Sequence, residues 1–509
     1  MPQYLTPGVY VEEIEIGAKP IEGVSTNVAG FLGETERGPE EPTFITNFDQ
    51  FKRLYGGYIA GSYLAYAIDG YFRNGGGSCF VARIANKDSK YAALILKNAA
   101  SNPENSPEKN EDANIDADSV DPIEVAKIQA IGPGLWGISV QIGIKDAGLS
   151  SENANLFKLE IYNEKGLVEV YDNLSPSDTS SDYYEKRVNG ISNLVTISHL
   201  KDGRPVNIAN TKMIDGSDAA VTAEDYKGRV DEKTGKLSGL MAFSKISEIS
   251  LICAPDENKF KLSDLLKEHC EKHKDRFAIL QAGELKKNIT ELSPPVRSKY
   301  AAYYYPWIKV LDPVTNMPKY VPPCGHLAGV YSRTDVERGV HKAPANTPVS
   351  GALDLQFSIV DAEQEILNPR GVNCIRSFPG KGILVWGART TSLDSSWKYI
   401  NVSRLFIFVE KSIKEGIRWA VFEPNNEKLW SRVKQTVDQF LTAVWRTGAL
   451  MGTTADQAFF VRCDRTTMTQ DDIDSGRLVV LVGIAPTKPA EFVILRIAQV
   501  AKGADISEA

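Results

Sequence analysis

The residues that could do chemistry are few and scattered. Gly132-Pro133-Gly134-Leu135-Trp136-Gly137 has the spacing of a dinucleotide-binding loop. That chemistry needs the glycines between a strand and a helix whose N-terminus holds the pyrophosphate. Here residues 138–144 read as a strand and Pro133 sits inside the loop, so the motif reads as a structural turn. His269 and His273 stand four apart on a helical stretch. A zinc hydrolase of that spacing needs Glu directly after the first His, to act as base. Cys270 occupies that position, Glu271 comes one later and no third ligand is evident, which points to a solvated helix end. Gly380-Lys381-Gly382 lacks both the upstream glycine and the Ser or Thr of a phosphate loop. No G-x-S-x-G elbow and no Cys/His pair of catalytic form is present. The five histidines leave few general bases. His341, in the dense polar stretch 338–346, reads as a packing or turn residue. We therefore expect no catalytic residue, no metal site and no cofactor.

Composition supports a large globular chain. The 509 residues suggest about three or four domains. An apolar share of 42% and a charged share of 24% exclude disordered, collagen-like and coiled-coil chains. Lys and Arg number 58 against 65 Asp and Glu; the net charge of −7 argues against nucleic acid as a partner. Cys79, Cys253, Cys270, Cys324, Cys374 and Cys463 form no CxxC pair. They read as free, mostly buried thiols of a chain made in a reducing cytoplasm. The opening residues lack the basic and apolar regions of a signal peptide. The longest apolar runs, such as 478–484, are too short to cross a bilayer, so direct membrane insertion is not expected.

The elements that would position these residues alternate in type. Residues 28–33 read as a buried strand, 48–54 as a short helix started at Thr46-Asn47, 63–72 as an amphipathic helix, and 79–84 as a strand. Between 101 and 124 eight acidic residues face one lysine, the composition of a mobile linker. Residues 125–235 look β-rich, with strands at 125–128, 138–144, 156–162, 166–171 and 194–199. Two mainly apolar runs, 249–254 and 277–280, flank a helix over 260–273, which makes a βαβ unit with a parallel sheet. The last block holds helices around 405–413 and 429–445 and strands at 458–463, 478–484 and 492–497. Both chain ends thus carry a short strand, 9–14 and 492–497. Each could fold back on its own domain or add to a sheet of another copy.

Several ordered motifs resemble the contractile tail sheath family of phage tails and contractile injection systems. They begin with Thr6-Pro7-Gly8-Val9-Tyr10-Val11-Glu12-Glu13 and Gly30-Phe31-Leu32-Gly33-Glu34-Thr35-Glu36-Arg37-Gly38-Pro39. Phe48-Asp49-Gln50-Phe51, Gly56-Gly57, Phe72-Arg73-Asn74-Gly75-Gly76 and Cys79-Phe80-Val81-Ala82-Arg83 follow. In the C-terminal half come Asn368-Pro369, Val385-Trp386-Gly387-Ala388-Arg389-Thr390, Trp397-Lys398-Tyr399-Ile400-Asn401-Val402, Phe422-Glu423-Pro424-Asn425 and Ala485-Pro486-Thr487-Lys488-Pro489-Ala490-Glu491-Phe492. The match spans roughly 1–85 and 295–500.

The resemblance implies a structural subunit and no enzyme. Such subunits form hexameric rings stacked helically around an inner tube protein, with baseplate and terminal cap proteins at the ends, as part of a phage tail or tail-like particle. The sheath shortens and drives the tube through a target envelope. The implied fold is mixed α/β and multidomain. It assigns 1–20 to an N-terminal arm, 21–97 with 370–490 to an inner domain, 98–237 to the acidic linker and an inserted β-rich outer domain, 238–369 to a subtilisin-like α/β domain without a recognisable triad, and 491–509 to a C-terminal arm. The arms add strands to neighbouring copies through Val9, Tyr10, Val11, Glu12, Glu13 and Ile14, and through Phe492, Val493, Ile494, Leu495, Arg496 and Ile497. Lys411, Lys414 and Arg418, at helical spacing over 403–418, are candidates for facing the tube; the same spacing fits an ordinary solvated face. The rival reading is a hydrolase using the subtilisin-like domain.

Overall fold

Ala29–Gly33 carries no polar side chain, and all five residues are buried. Such a strand needs a neighbour on each edge and cover on both faces. In the computed structural model, which describes residues 20–98, 122–232, 234–286 and 288–494, it lies inside a nine-stranded sheet. The strand order is Thr347–Pro348, Gly382–Trp386, Val372–Phe378, Ala301–Tyr305, Phe277–Gln281, Leu251–Cys253, Ala29–Gly33, Cys79–Arg83, Thr43–Ile45. The six strands from Val372–Phe378 to Cys79–Arg83 run parallel; those outside them pair antiparallel.

Two helices on this sheet pack backbone to backbone. Leu64–Arg73 meets Cys324–Arg338 through glycines. A Cβ at Gly325 would lie 2.2 Å from the Ala67 carbonyl oxygen, and one at Gly329 2.4 Å from that of Tyr71. The short helix Phe48–Tyr55 is capped by Asn47, whose side chain accepts from the Gln50 amide at 2.8 Å. Gln50 answers by accepting from the Thr46 amide at 2.9 Å.

The β-rich region is inserted between Cys79–Arg83 and Leu251–Cys253. Gln141–Asp146, Phe157–Asn163 and Gly166–Leu174 form a sheet that Ile208–Lys212 closes at one edge. Glu124–Ala130 pairs with Ala93–Lys97 and Val195–His199. Ile142, Ile144, Leu159, Ile161, Ile128 and Ile197 share its core. Ile208–Lys212 carries no alternating apolar pattern and is nearly all exposed, as an edge strand can be.

The nine-stranded sheet takes strands from three of the expected segments, 21–97, 238–369 and 370–490. Strands of the first block, 21–97, share this one sheet with strands at the start of 370–490 and with strands of 238–369. They join Leu251–Cys253 and its parallel neighbours, and the strands Val372–Phe378 and Gly382–Trp386 belong to the same sheet. The reason is burial: strands apolar on both faces are stable only side by side inside one sheet. The chain divides into a large unit, Ser25–Gly339 with Pro344–Lys398, and a smaller one. The smaller unit holds the described residues up to Val24, Val340–Ala343, and those from Tyr399 on.

The smaller unit is built on helices Ile400–Gly416 and Glu427–Arg446. Leu405, Val409, Val437, Phe440, Leu441 and Val444 form its core with Ile21. Asn426 caps the longer helix, accepting from the amides of Lys428 at 3.0 Å and Leu429 at 3.1 Å. Phe459–Arg462 and Leu481–Ile484 make a two-stranded antiparallel sheet against this core.

Candidate assembly surfaces

The residues with catalytic spacing serve the fold. After Gly134 the chain forms a 3-10 turn, Leu135–Ser139, and then a strand, so no helix N-terminus faces the glycines. A Cβ at Gly132 would lie 1.9 Å from the Gly38 carbonyl oxygen. The glycines are there because the loop passes over Arg83, whose Nη1 donates to Gly38 at 2.9 Å. Gly380 and Gly382 take positive φ angles of 75° and 78° at a hairpin turn between Val372–Phe378 and Gly382–Trp386. His269 and His273 lie with ring centroids 4.5 Å apart and planes tilted by 38°. The guanidinium of buried Arg276 lies 3.2 Å from His269 Nε2. Burial, and then that charge, pushes the His269 pKa down to about 3, and a metal ion there would meet a cation. No three His, Cys, Asp or Glu among the described residues are placed to hold a metal. All six cysteines are free and buried. No helix among the described residues is long and apolar enough to cross a membrane.

The smaller unit offers surfaces of a different kind. Its sheet has two strands, so each strand has one partner among the described residues and an outer edge. Phe460 lies across Gly483 of the facing strand, where a Cβ would come within 2.2 Å of the ring. Beyond Ile484 the chain is clamped. Ala485 accepts from the Met451 amide at 2.8 Å, and Thr487 Oγ1 donates towards the Gly448 and Ala449 carbonyls at 2.9 and 2.6 Å. Asn401 Nδ2 donates to the Thr487 carbonyl at 3.0 Å and to that of His341 at 2.8 Å. The last clamp is Tyr399, whose hydroxyl donates to Glu491 Oε2 at 3.0 Å.

Past that point Phe492, Val493 and Ile494 are 70%, 79% and 79% exposed, and they form no strand. Leu495, Arg496 and Ile497, and the whole N-terminal run from Val9 to Ile14, lie outside the described residues.

The three cations do not share one surface. Lys414 and Arg418 are exposed, but Lys411 is only 8% exposed. Asn401, Arg404 and Ser412 are also buried on this helix, so polarity does not mark its solvent side. Arg418 falls beyond the helix end, in the 3-10 turn Arg418–Ala420.

Comparison with known proteins identifies the family. The model of the phage tail sheath protein central domain matches residues 219–391 and that of the phage tail sheath C-terminal domain matches 392–499, together more than half of the chain. The chain belongs to the tail sheath family. The tail sheath protein of Vibrio phage KVP40 is 28% identical over 201 residues, 39% of this chain and 29% of that protein. The chain spans 29%, 32% and 30% of the first three curated sheath relatives it matches. The Burkholderia phage BcepMu tail sheath protein is 22% identical over 473 residues, 87% of both chains. Among solved structures, the helical sheath of the anti-feeding prophage in its contracted state is 25% identical with a TM-score of 0.60, over 97% of this chain and 99% of that one. The mixed α/β multidomain arrangement described above is thus a sheath-protein fold. The break between the two sheath models, at 391/392, lies close to Tyr399, where the smaller unit resumes.

Proposed function

We propose that the chain is a structural, non-enzymatic sheath subunit of a contractile phage tail or injection system. It polymerises with itself as stacked hexameric rings around an inner tube protein, meets baseplate and terminal cap proteins at the ends, and contracts to drive the tube through a target envelope. Its place is the assembled tail or tail-like particle. The observation that carries this, beside family membership, is one unit holding both an open two-stranded sheet and an exposed apolar run, Phe492 to Ile494. A two-stranded sheet is marginal alone and gains from added strands. The arms of neighbouring copies supply them by β-augmentation, through Val9 to Ile14 and Phe492 to Ile497.

The free energy of contraction lies in the difference between two sets of contacts between subunits, small for each copy and summed over many. Lys414 and Arg418 face the tube in this reading, and their solvated setting keeps that contact breakable. The β-rich insertion projects outward. The subtilisin-like reading of 238–369 rests on the parallel sheet alone and brings no hydrolase with it, since His269 faces Arg276 and His326 is packed against Gly70.

The test is negative-stain microscopy of the chain expressed with its tube protein, beside a variant lacking residues 1–20. Cylinders from the full chain and none from the truncation are expected. Monodisperse monomers from the full chain overturn the sheath reading; normal cylinders from the truncation overturn the strand exchange.

A further inference from the structure

The β-rich insertion leaves one long sheet edge open. Gly166–Leu174 stands at the end of its four-stranded sheet and pairs, among the described residues, only with Phe157–Asn163. The strand is 9 residues long. Leu167, Val168 and Val170 on it are 52%, 48% and 48% exposed. Two register shifts distort the pairing with Phe157–Asn163, yet no described strand covers the outer edge. Such an edge is a template for pairing with a second copy. Its own charges guard it poorly. Glu169 accepts from the Ser192 hydroxyl at 2.6 Å and the Asn193 amide at 3.0 Å, and Asp172 is paired with Lys158 at 3.3 Å. On the strand beside it Glu160 is paired with Lys145 at 2.7 Å. No lysine stands on the edge strand itself, where one would block pairing.

The same insertion carries the whole net charge of the chain. Between 101 and 124 stand 8 acidic residues and 1 lysine. Taking them from the 65 Asp and Glu and the 58 Lys and Arg leaves 57 of each, so the rest of the chain is neutral. Residues 99–121 lie outside the described residues, but the ends that flank them are held side by side. The Asn98 amide donates to the Ile123 carbonyl at 3.0 Å, and the Ile123 amide to Asn98 Oδ1 at 2.8 Å. The charge thus belongs to the connection between Ala93–Lys97 and Glu124–Ala130.

We infer that this acidic charge is an electrostatic spacer, which keeps the insertions of neighbouring cylinders from pairing edge to edge along Gly166–Leu174. This rests on the sheath reading above, in which the insertion projects outward, and gives the insertion a function of its own. The occupant of the edge is a second copy, since a strand can pair antiparallel with itself about a two-fold axis. Any such approach brings two like charges together, repeated on every copy along both cylinders. A lysine on the strand would block the edge at every salt concentration. Charge held elsewhere on the insertion blocks it only while unscreened: its reach falls from about 30 Å at 0.01 M salt to about 8 Å at 0.15 M. The edge is therefore opened by ionic strength.

The experiment compares cylinders of the full chain with those of a variant in which the 7 acidic residues from Glu104 to Asp121 become Gln or Asn. Light scattering and electron microscopy follow bundling from about 0.01 to about 1 M sodium chloride. Unsubstituted cylinders should stay single at low salt and bundle as salt rises. The variant should bundle at least about tenfold lower in salt, where the Debye length is about three times longer. Adding Leu167→Lys with Val170→Lys to the variant should separate the bundles. The same two lysines at exposed Leu135 and Leu200, outside the edge strand, should not. Equal dispersion of variant and unsubstituted cylinders at every salt concentration overturns the inference and leaves the sheath reading standing. Rescue by both lysine pairs, or by neither, also overturns it, because the edge then plays no part. Loss of cylinders in the variant overturns it too, since the charge then acts within one cylinder. Failure of the unsubstituted chain to form cylinders overturns the sheath reading and this inference with it.

Discussion

The hydroxyl of Tyr399 donates to Glu491 across 92 positions of sequence, at 3.0 Å, and joins the first residue of the C-terminal segment to the last one before the exposed run. Phe492, Val493 and Ile494 lie beyond that clamp and are mostly exposed.

Removing this hydroxyl should loosen the root of the arm without unfolding the unit. A hydrogen bond to a charged acceptor contributes about 1.5–3 kcal/mol, and this one is only partly buried. We expect Tyr399→Phe to speed amide exchange at Lys488, Ala490 and Glu491. Ala485 and Thr487 should keep their protection, because their partners on Ala458, Gly448 and Ala449 are unchanged. Hydrogen exchange followed residue by residue checks it; a uniform rise over the whole unit would mean that the bond supports the core and not the arm.

Much of the local structure is legible in the residues, and the long-range pairing is not. The all-apolar runs 251–253 and 277–280, the stripe of Val433, Val437, Phe440, Leu441 and Val444, and the cap at Asn47 each follow from spacing within a few positions. Nothing local says that Ala29 pairs with Leu251, since strands apolar on both faces are interchangeable as neighbours. That is why the residues alone do not show that the strands of 21–97 share one sheet with strands of 238–369 as well as with those at 372–386. The assembly surface is half legible for a similar reason. Helical spacing groups Lys411 with Lys414 and Arg418, but the helix Ile400–Gly416 is buried around most of its circumference and takes Lys411 with it.

Glu257 gives the large unit a pH dependence of definite sign. It is almost completely buried, bonded to the Ser263 hydroxyl and to the Gln281 amide at 3.2 Å, and burial pushes its pKa from 4.5 up to about 7. The folded value is above the unfolded one. The stability linked to the neutral carboxyl is therefore complete below 4.5 and is lost as pH rises through about 7. His269 and His326, lowered by burial to about 3 and 4, act in the opposite sense, losing stability as pH falls below 6.5. The difference between Glu257→Gln and the unsubstituted chain isolates the carboxyl. The variant should be close to neutral at pH 4.5 and more stable at pH 8, by a few degrees in melting temperature. A difference that stays constant between those pH values would mean that Glu257 titrates as an ordinary carboxyl.

The exposed run offers the sharpest separation between folding and assembly. A proline removes a backbone donor and cannot sit in the middle of a strand ladder. Within the chain, Val493 is in no strand and is mostly exposed, so Val493→Pro has no ladder of its own to break. In a neighbour's sheet the same substitution interrupts the added strand. Val493→Pro should thus leave the monomer's unfolding free energy within about 0.5 kcal/mol of the original, the usual range for surface changes. Cylinders should be lost or much shortened in electron micrographs. Val493→Thr, which keeps the N–H and the β-branched shape, should still assemble. Cylinders of normal length from the proline variant would mean that this part of the arm is not a strand in the assembled sheath, and the register of the exchange would have to begin beyond Ile494.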